Sequence, residues 1–279
     1  MWYCERQMMK ESFFKERGIY YRVSDMRTGL PTLVFLHGLM GSSSAWIPFE
    51  QRFEGTHNII TLDLRGHGKS RRWSKYIEYD FSLFAEDVRL LLQHLDVSQY
   101  VIVAHCFGTL IALQLALTES GVQKIVLLSP IYALQKTWQA RLTRIPLTIV
   151  TSIFSHLPSF RQHGHHIDYS AYTRTVDWDF RRILPEIWDM GIRSYLQCLR
   201  HVYVFAHDQD WRRISVPTLI LHGARDSFVP VSHSIELARI IPNAKLEILP
   251  AANHIIVLNN VDEIAAAIEE FLGNQRART

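Results

Sequence analysis

Hydrophobic residues in this chain gather into short, nearly unbroken apolar runs, and stretches of helical periodicity separate them. Pro31 to Leu36, Asn58 to Leu62, Tyr100 to Ala104, Lys124 to Pro130, Pro217 to Gly223 and Ala244 to Leu249 are such runs. Strands buried on both faces of a parallel sheet read this way, because neither face meets water. Phe13 to Val23 predicts two shorter strands turned at Arg17-Gly18. Between the runs, apolar residues at 81, 84, 85, 88, 91, 92 and 95 form one helical stripe, with Asp80 placed to cap it. Helices are also expected from about Ser232 to Ile240 and from Val261 to Leu272. Strand–helix alternation of this kind predicts the α/β class with a mostly parallel, doubly wound sheet. From about Tyr132 to Arg213 the alternation stops, and Trp, Tyr, Arg and His accumulate around helical stretches at Trp138 to Ile149 and Pro185 to Phe205. The organisation expected is a core of residues 1–131 and 214–279 with a helical insertion at 132–213, and a frayed tail after Gly273.

The chemistry-bearing residues stand where the runs end. The run from Tyr100 breaks at His105-Cys106-Phe107-Gly108 into a stretch of strong helix formers beginning at Thr109. Ala104 and Gly108, two positions to either side of Cys106, are small enough to let a strand and a helix approach across a sharp turn. Leu36 is followed by His37-Gly38-Leu39-Met40-Gly41-Ser42, and Leu62 by Asp63-Leu64-Arg65-Gly66-His67-Gly68-Lys69-Ser70. Asp226 lies just beyond the run ending at Gly223, and His254 just beyond the run ending at Leu249. These positions share the carboxyl edge of the predicted sheet, where ligands bind in open α/β folds.

Taken together, these strings resemble the α/β-hydrolase superfamily, in its small capped esterase and thioesterase form. The Cys106 turn is similar to the nucleophile elbow Gly-x-Ser-x-Gly, with Ala104 for the first glycine and Cys106 for the serine. The His37 to Ser42 string resembles the oxyanion loop, and nucleophile, acid and histidine follow in the order this family uses. The resemblance implies an α/β-hydrolase fold roofed by a cap and a catalytic set of Cys106, His254 and Asp226. It also implies an oxyanion hole of the Leu39 and Phe107 backbone N–H groups. His37, Gly38 and Met40 would line the substrate site, as would the cap aromatics Trp138, Trp178 and Trp188, with Tyr195 and Phe205 beside them. Asp63 is the second choice of acid, while His67, His105 and His222 are expected to support turns. Such a set forms and breaks an acyl-cysteine on an ester or thioester. Two alternatives stay open: transfer of the acyl group to an amine, alcohol or thiol, and a non-catalytic ligand-binding protein on the same scaffold.

Composition narrows the partners. With 48% hydrophobic and 20% charged residues and a net charge of +3, neither nucleic acid nor a membrane span is expected. Cys4, Cys106 and Cys198 make no disulfide framework, and the start has no signal-peptide core, so a cytoplasmic protein is expected. No cofactor or metal is called for. His163, His165, His166 and Asp168 are read as a solvated cap loop. Arg141, Arg144, Arg161, Arg174, Arg181 and Arg182 fit a solvated face, or an acidic acyl carrier protein delivering the substrate.

Overall fold

The computed structural model of the protein describes residues 9–132, 138–156, 164–172, 174–204 and 209–273. In chain order the sheet comprises β1 (Lys10–Phe14), β2 (Ile19–Val23), β3 (Thr32–Leu36), β4 (Asn58–Leu62), β5 (Tyr100–His105), β6 (Val122–Leu128), β7 (Thr218–Gly223) and β8 (Ala244–Leu249). Its spatial order is β1-β2-β4-β3-β5-β6-β7-β8, parallel from β4 to β8, while β2 is antiparallel to both β1 and β4. The α-helices described are α1 (Ile47–Phe53), α2 (Phe81–His94), α3 (Phe107–Thr118), α4 (Trp138–His156), α5 (Phe180–Met190), α6 (Ile192–Val204), α7 (Val231–Ile240), α8 (Ile256–Asn259) and α9 (Val261–Leu272), with short 3-10 turns between some of the elements.

Alternate residues of the central strands point to opposite faces, which explains the unbroken apolar runs. Val34 and Leu36 pack with α2 and α3 on one side, while Leu33 and Phe35 pack with α1 and α9 on the other. The α/β class and the mostly parallel sheet expected from the sequence are the ones found. Asp80 caps α2 by accepting a hydrogen bond from the Ser82 N–H at 2.9 Å.

The chain order reverses between β3 and β5, since β4 lies on one side of β3 and β5 on the other. A crevice forms at the carboxyl end of such a switch point. Gly108, in the first turn of α3, lets the helix sit against β3. A Cβ there would come within 2.7 Å of the Leu36 carbonyl oxygen and 2.8 Å of that of His37, both backbone atoms that cannot swing aside. Gly108→Ala is therefore expected to lower unfolding stability by ~2 kcal/mol or more, read as a drop in the urea midpoint at unchanged m-value.

Between β6 and β7 the described residues contain helices and 3-10 turns but no strand. The single helix expected from Pro185 to Phe205 is instead two. Asp179 caps α5 through the Arg181 N–H at 3.1 Å, so the helix starts before Pro185, and Gly191 breaks it in the left-handed region at φ 81°. α4 likewise runs past Ile149 to His156 with Pro146 inside it. Among the described residues, no helix is long and apolar enough to cross a membrane.

Candidate active site

β5 delivers Cys106 to the switch point. Its residue sits between strand and helix at φ 49° and ψ −110°, a left-handed conformation that costs an L-residue energy and persists only when its surroundings hold it. They do: the Cys106 N–H donates to the Leu128 carbonyl at 2.9 Å, and its own carbonyl accepts from Thr109. The turn leaves the side chain at the base of a cavity and the free N–H groups of α3 beside it.

The loops after β7 and β8 bring Asp226 and His254 to the same place. His254 Nδ1 donates to Asp226 Oδ2 at 2.7 Å, and the ring is also in hydrogen-bond contact with the Cys106 side chain. Burial alone would make the imidazole less basic, but the Cys106 sulfur and the Asp226 carboxylate outweigh it and push the ring up to about 10. The Asp226 side chain is fully buried, yet its carboxyl is held far below the usual carboxylate range. Burial opposes its ionisation, and the hydrogen bonds from His222, His254 and the Val229 N–H overcome that cost. The Phe228 and Val229 N–H groups reach Asp226 Oδ1 at 2.9 and 2.8 Å, and His222 Nε2 lies 3.3 Å from Oδ2.

The remaining histidines of these loops are structural in geometry. His37 Nε2 accepts from the Leu64 N–H at 2.9 Å, and its Nδ1 donates to the Gly38 carbonyl, which ties the loops after β3 and β4 together. His105 Nε2 donates to the His254 carbonyl at 3.0 Å. Burial keeps these rings neutral, His37 down to about 4 and both His67 and His105 to about 3. His222 braces the Asp226 loop, with Nδ1 2.6 Å from Ser234 Oγ and Nε2 3.0 Å from the Val229 carbonyl. Asp63, the second choice of acid, bonds elsewhere: its carboxylate accepts from the Ser43 and Lys69 N–H groups at 2.7 Å each and from His166 Nε2 at 2.8 Å.

Over Cys106 lies a cavity of about 260 Å³, with His37, Gly38, Leu39 and Met40 on one side and the cap opposite. Trp178 and Tyr195 line it, and the Trp178 ring meets Phe228 edge-on at 4.5 Å between centroids. Trp188 does not line it, contrary to expectation. α5 turns Arg182, Ile183, Glu186 and Met190 inward, which leaves Leu184 and Trp188 on the outer face, Trp188 at 70% exposure. The expectation of a solvated loop also fails at His166, which is mostly buried against Asp63. Arg144, Arg174 and Arg181 are exposed, whereas Arg182 is buried. The side chains of Trp138 and Arg141, and residues Cys4, Arg161, His163 and Phe205, lie outside the described residues.

One residue absent from the sequence reading holds the site together. Asp177, in the cap, accepts from the His254 N–H through Oδ1 at 2.8 Å, and from the Ser227 N–H and hydroxyl through Oδ2 at 2.8 Å each. A single buried carboxylate thus joins the Asp226 and His254 loops. Asp177→Ala is expected to lower kcat by about tenfold to a hundredfold with a smaller change in KM, because it frees His254 rather than removing a binding contact. Asp177→Asn should fall between, since its amide nitrogen cannot accept from Ser227; steady-state kinetics of the three proteins decide it.

Residues 31–261 match the family described as alpha/beta hydrolase fold. The chain is 26% identical over 270 residues to a non-heme haloperoxidase of Rhodococcus erythropolis, covering 91% of this chain and 95% of the relative. It is 23% identical over 279 residues to an sn-1-specific diacylglycerol lipase of Mus musculus, covering 90% and 84%. Among solved structures it is similar to an alpha/beta hydrolase enzyme from a Medee basin deep-sea metagenome library, with TM-score 0.72, 21% identity and coverage of 97% and 99%. On the family match over residues 31–261, which spans most of its length and the whole of the parallel sheet, the chain belongs to the alpha/beta hydrolase fold family and is one of its enzymes.

Proposed function

We propose that the protein hydrolyses small carboxylic esters or thioesters through an acyl-cysteine on Cys106. The observation that carries this reading is a cysteine held at a strained strand-to-helix turn against His254, whose other ring nitrogen is bonded to the buried Asp226 carboxylate. The Cys106 sulfur attacks the carbonyl carbon as a thiolate, and the developing oxyanion faces the backbone N–H groups of Leu39 and Phe107. Loss of one such donor typically costs about 3 kcal/mol. Protonated His254 then gives its proton to the departing alcohol or thiol, which leaves the acyl group on sulfur. Water enters as the second nucleophile, His254 takes its proton, and the thiolate is released with the acid. Asp226 fixes the ring so that Nε2 faces the sulfur and stabilises the imidazolium. The diacylglycerol lipase among its relatives supports an ester as the substrate class.

Intact-protein mass spectrometry after incubation with acyl thioesters and aryl esters, followed by peptide mapping, tests the proposal. The expected result is an acyl adduct on Cys106 that decays in buffer. An adduct stable until an amine, alcohol or thiol is added would make the enzyme a transferase instead. No adduct and no product with any donor would sink both.

A further inference from the structure

α5 is amphipathic in the reverse of the usual sense. Its inner face holds charge: Arg182 and Glu186 stand one turn apart, both buried, and Arg182 Nη1 donates to Glu186 Oε2 at 2.6 Å. Its outer face carries Phe180, Leu184 and Trp188, which recur every four residues and so form one apolar stripe. A helix on the surface of a globular protein ordinarily turns its charges to water and its apolar stripe to the core. Val176, Trp178 and Ile192 follow in the chain on either side of the helix, and each of these six side chains is at least 44% exposed. Single exposed apolar residues are ordinary, whereas a cluster of this size marks a surface that something covers. The charges exposed with it have one sign. Between Arg174 and Ile192 they are Arg174 and Arg181, since Asp177, Asp179 and Glu186 are buried and the partly buried Asp189 accepts from the His165 N–H. Arg181 pairs with Asp179, and its own side chain is 87% exposed, so the cation of that pair and not the carboxylate faces water. In α4, the stretch from Leu142 to Ile153 contains a single charged residue, the exposed Arg144.

We propose that the outer face of α5 docks on the surface of an anionic lipid bilayer, and that the substrate is a lipid-borne ester drawn from it past Trp178 into the cavity. The second part rests on the reading of the cavity as an ester site. Trp178 is exposed and also lines the cavity, so it joins the apolar face to the site. Phe180, Leu184 and Trp188 enter the boundary between headgroups and acyl chains, about 5–10 Å deep. Arg174 and Arg181 meet the lipid phosphates. Tryptophan suits such a boundary, because its ring is apolar and its N–H is polar. A second copy of the chain fits this face less well. A two-fold contact would set Arg174 and Arg181 against their own counterparts, with no exposed carboxylate in the face to pair them.

Co-sedimentation with vesicles tests the docking face, using phosphatidylcholine alone and phosphatidylcholine mixed with phosphatidylglycerol in equal parts. Wild type should bind the anionic vesicles about tenfold more tightly, and the binding should weaken as salt is raised. Leu184→Gln/Trp188→Gln changes two exposed positions that do not line the cavity and keeps good helix formers there. It should lower partition onto anionic vesicles by about tenfold or more, and turnover of a long-chain glycerol ester carried in those vesicles by a similar factor. Turnover of a water-soluble aryl ester should stay unchanged, which also shows that the variant is folded. Equal binding by wild type and variant, or no preference for the anionic vesicles, overturns the docking face. So does a wild-type dimer in sedimentation velocity that the variant dissociates, with no binding to either vesicle. Equal turnover of the vesicle-borne ester by the two proteins overturns the delivery of substrate. Binding by Cys106→Ala separates this proposal from the hydrolase reading. Vesicle binding that depends on Leu184 and Trp188, with no ester turned over by wild type, refutes the hydrolase reading and keeps the docking face. Turnover of the soluble ester without vesicle binding refutes the docking face alone.

Discussion

With Cys106 as the proposed nucleophile, Cys106→Ala is expected to lose ester turnover by on the order of 10⁴-fold or more, because the proposed acyl acceptor is gone while the cavity remains. The change is small in volume and the position stays buried, so folding should survive; matching circular dichroism and urea midpoints establish that. Cys106→Ser restores an atom able to attack and is expected to recover ester hydrolysis in part. A readout independent of rate accompanies the loss. The sulfur is the first of the groups that raise His254, so in Cys106→Ala the imidazole midpoint should fall below the value of about 10 held by the intact site. Imidazole NMR across pH 5–11 reads this directly. Full activity in Cys106→Ala would refute the acyl-cysteine mechanism.

Asp226→Asn is expected to lower kcat by about 10⁴-fold with the fold retained, since an amide neither fixes the proton on Nδ1 nor offsets the imidazolium charge. Its effect on stability depends on pH in a definite direction. The folded Asp226 carboxyl titrates below its unfolded value of about 3.9, so its contribution is present above that pH and disappears in acid. His254 titrates above its unfolded value of about 6.5, so its contribution is complete below that pH and is lost as pH rises towards about 10. Urea midpoints of the wild type should therefore hold steady from about pH 4.5 to 6.5 and decline towards 10. In Asp226→Asn the alkaline decline should be shallower, because one of the groups that raises His254 is absent. Equal slopes for the two proteins would mean that the Asp226–His254 bond at 2.7 Å contributes nothing to this linkage.

The sheet was legible because parallel strands buried on both faces leave no polar positions to confuse the pattern. β4 and β8 fall at the residues the apolar runs predict, and the other strands differ from theirs by one to three residues. Cys106, Asp226 and His254 were visible for a related reason: each stands just past the end of such a strand, and the structure brings the three into contact. The cap was harder to read. Its helices lie on a neighbour rather than in a core, so burial imposes one turn of apolar residues at a time, and the break at Gly191 looked like a continuing helix. Without the start of α5 at Asp179, nothing assigned Trp188 to the outer face or Arg182 and Glu186 to the inner one, although their four-residue spacing carried that information. Asp177 left no trace of any kind. It is an acidic residue in a loop, and its partners lie 50 and 77 positions away in the chain.

The Asp177 carboxylate makes its own position and the alignment of the Asp226 and His254 loops one thermodynamic quantity. Whatever seats Asp177 also holds the His254 loop in place, and by reciprocity whatever fixes that loop holds Asp177 with the same free energy.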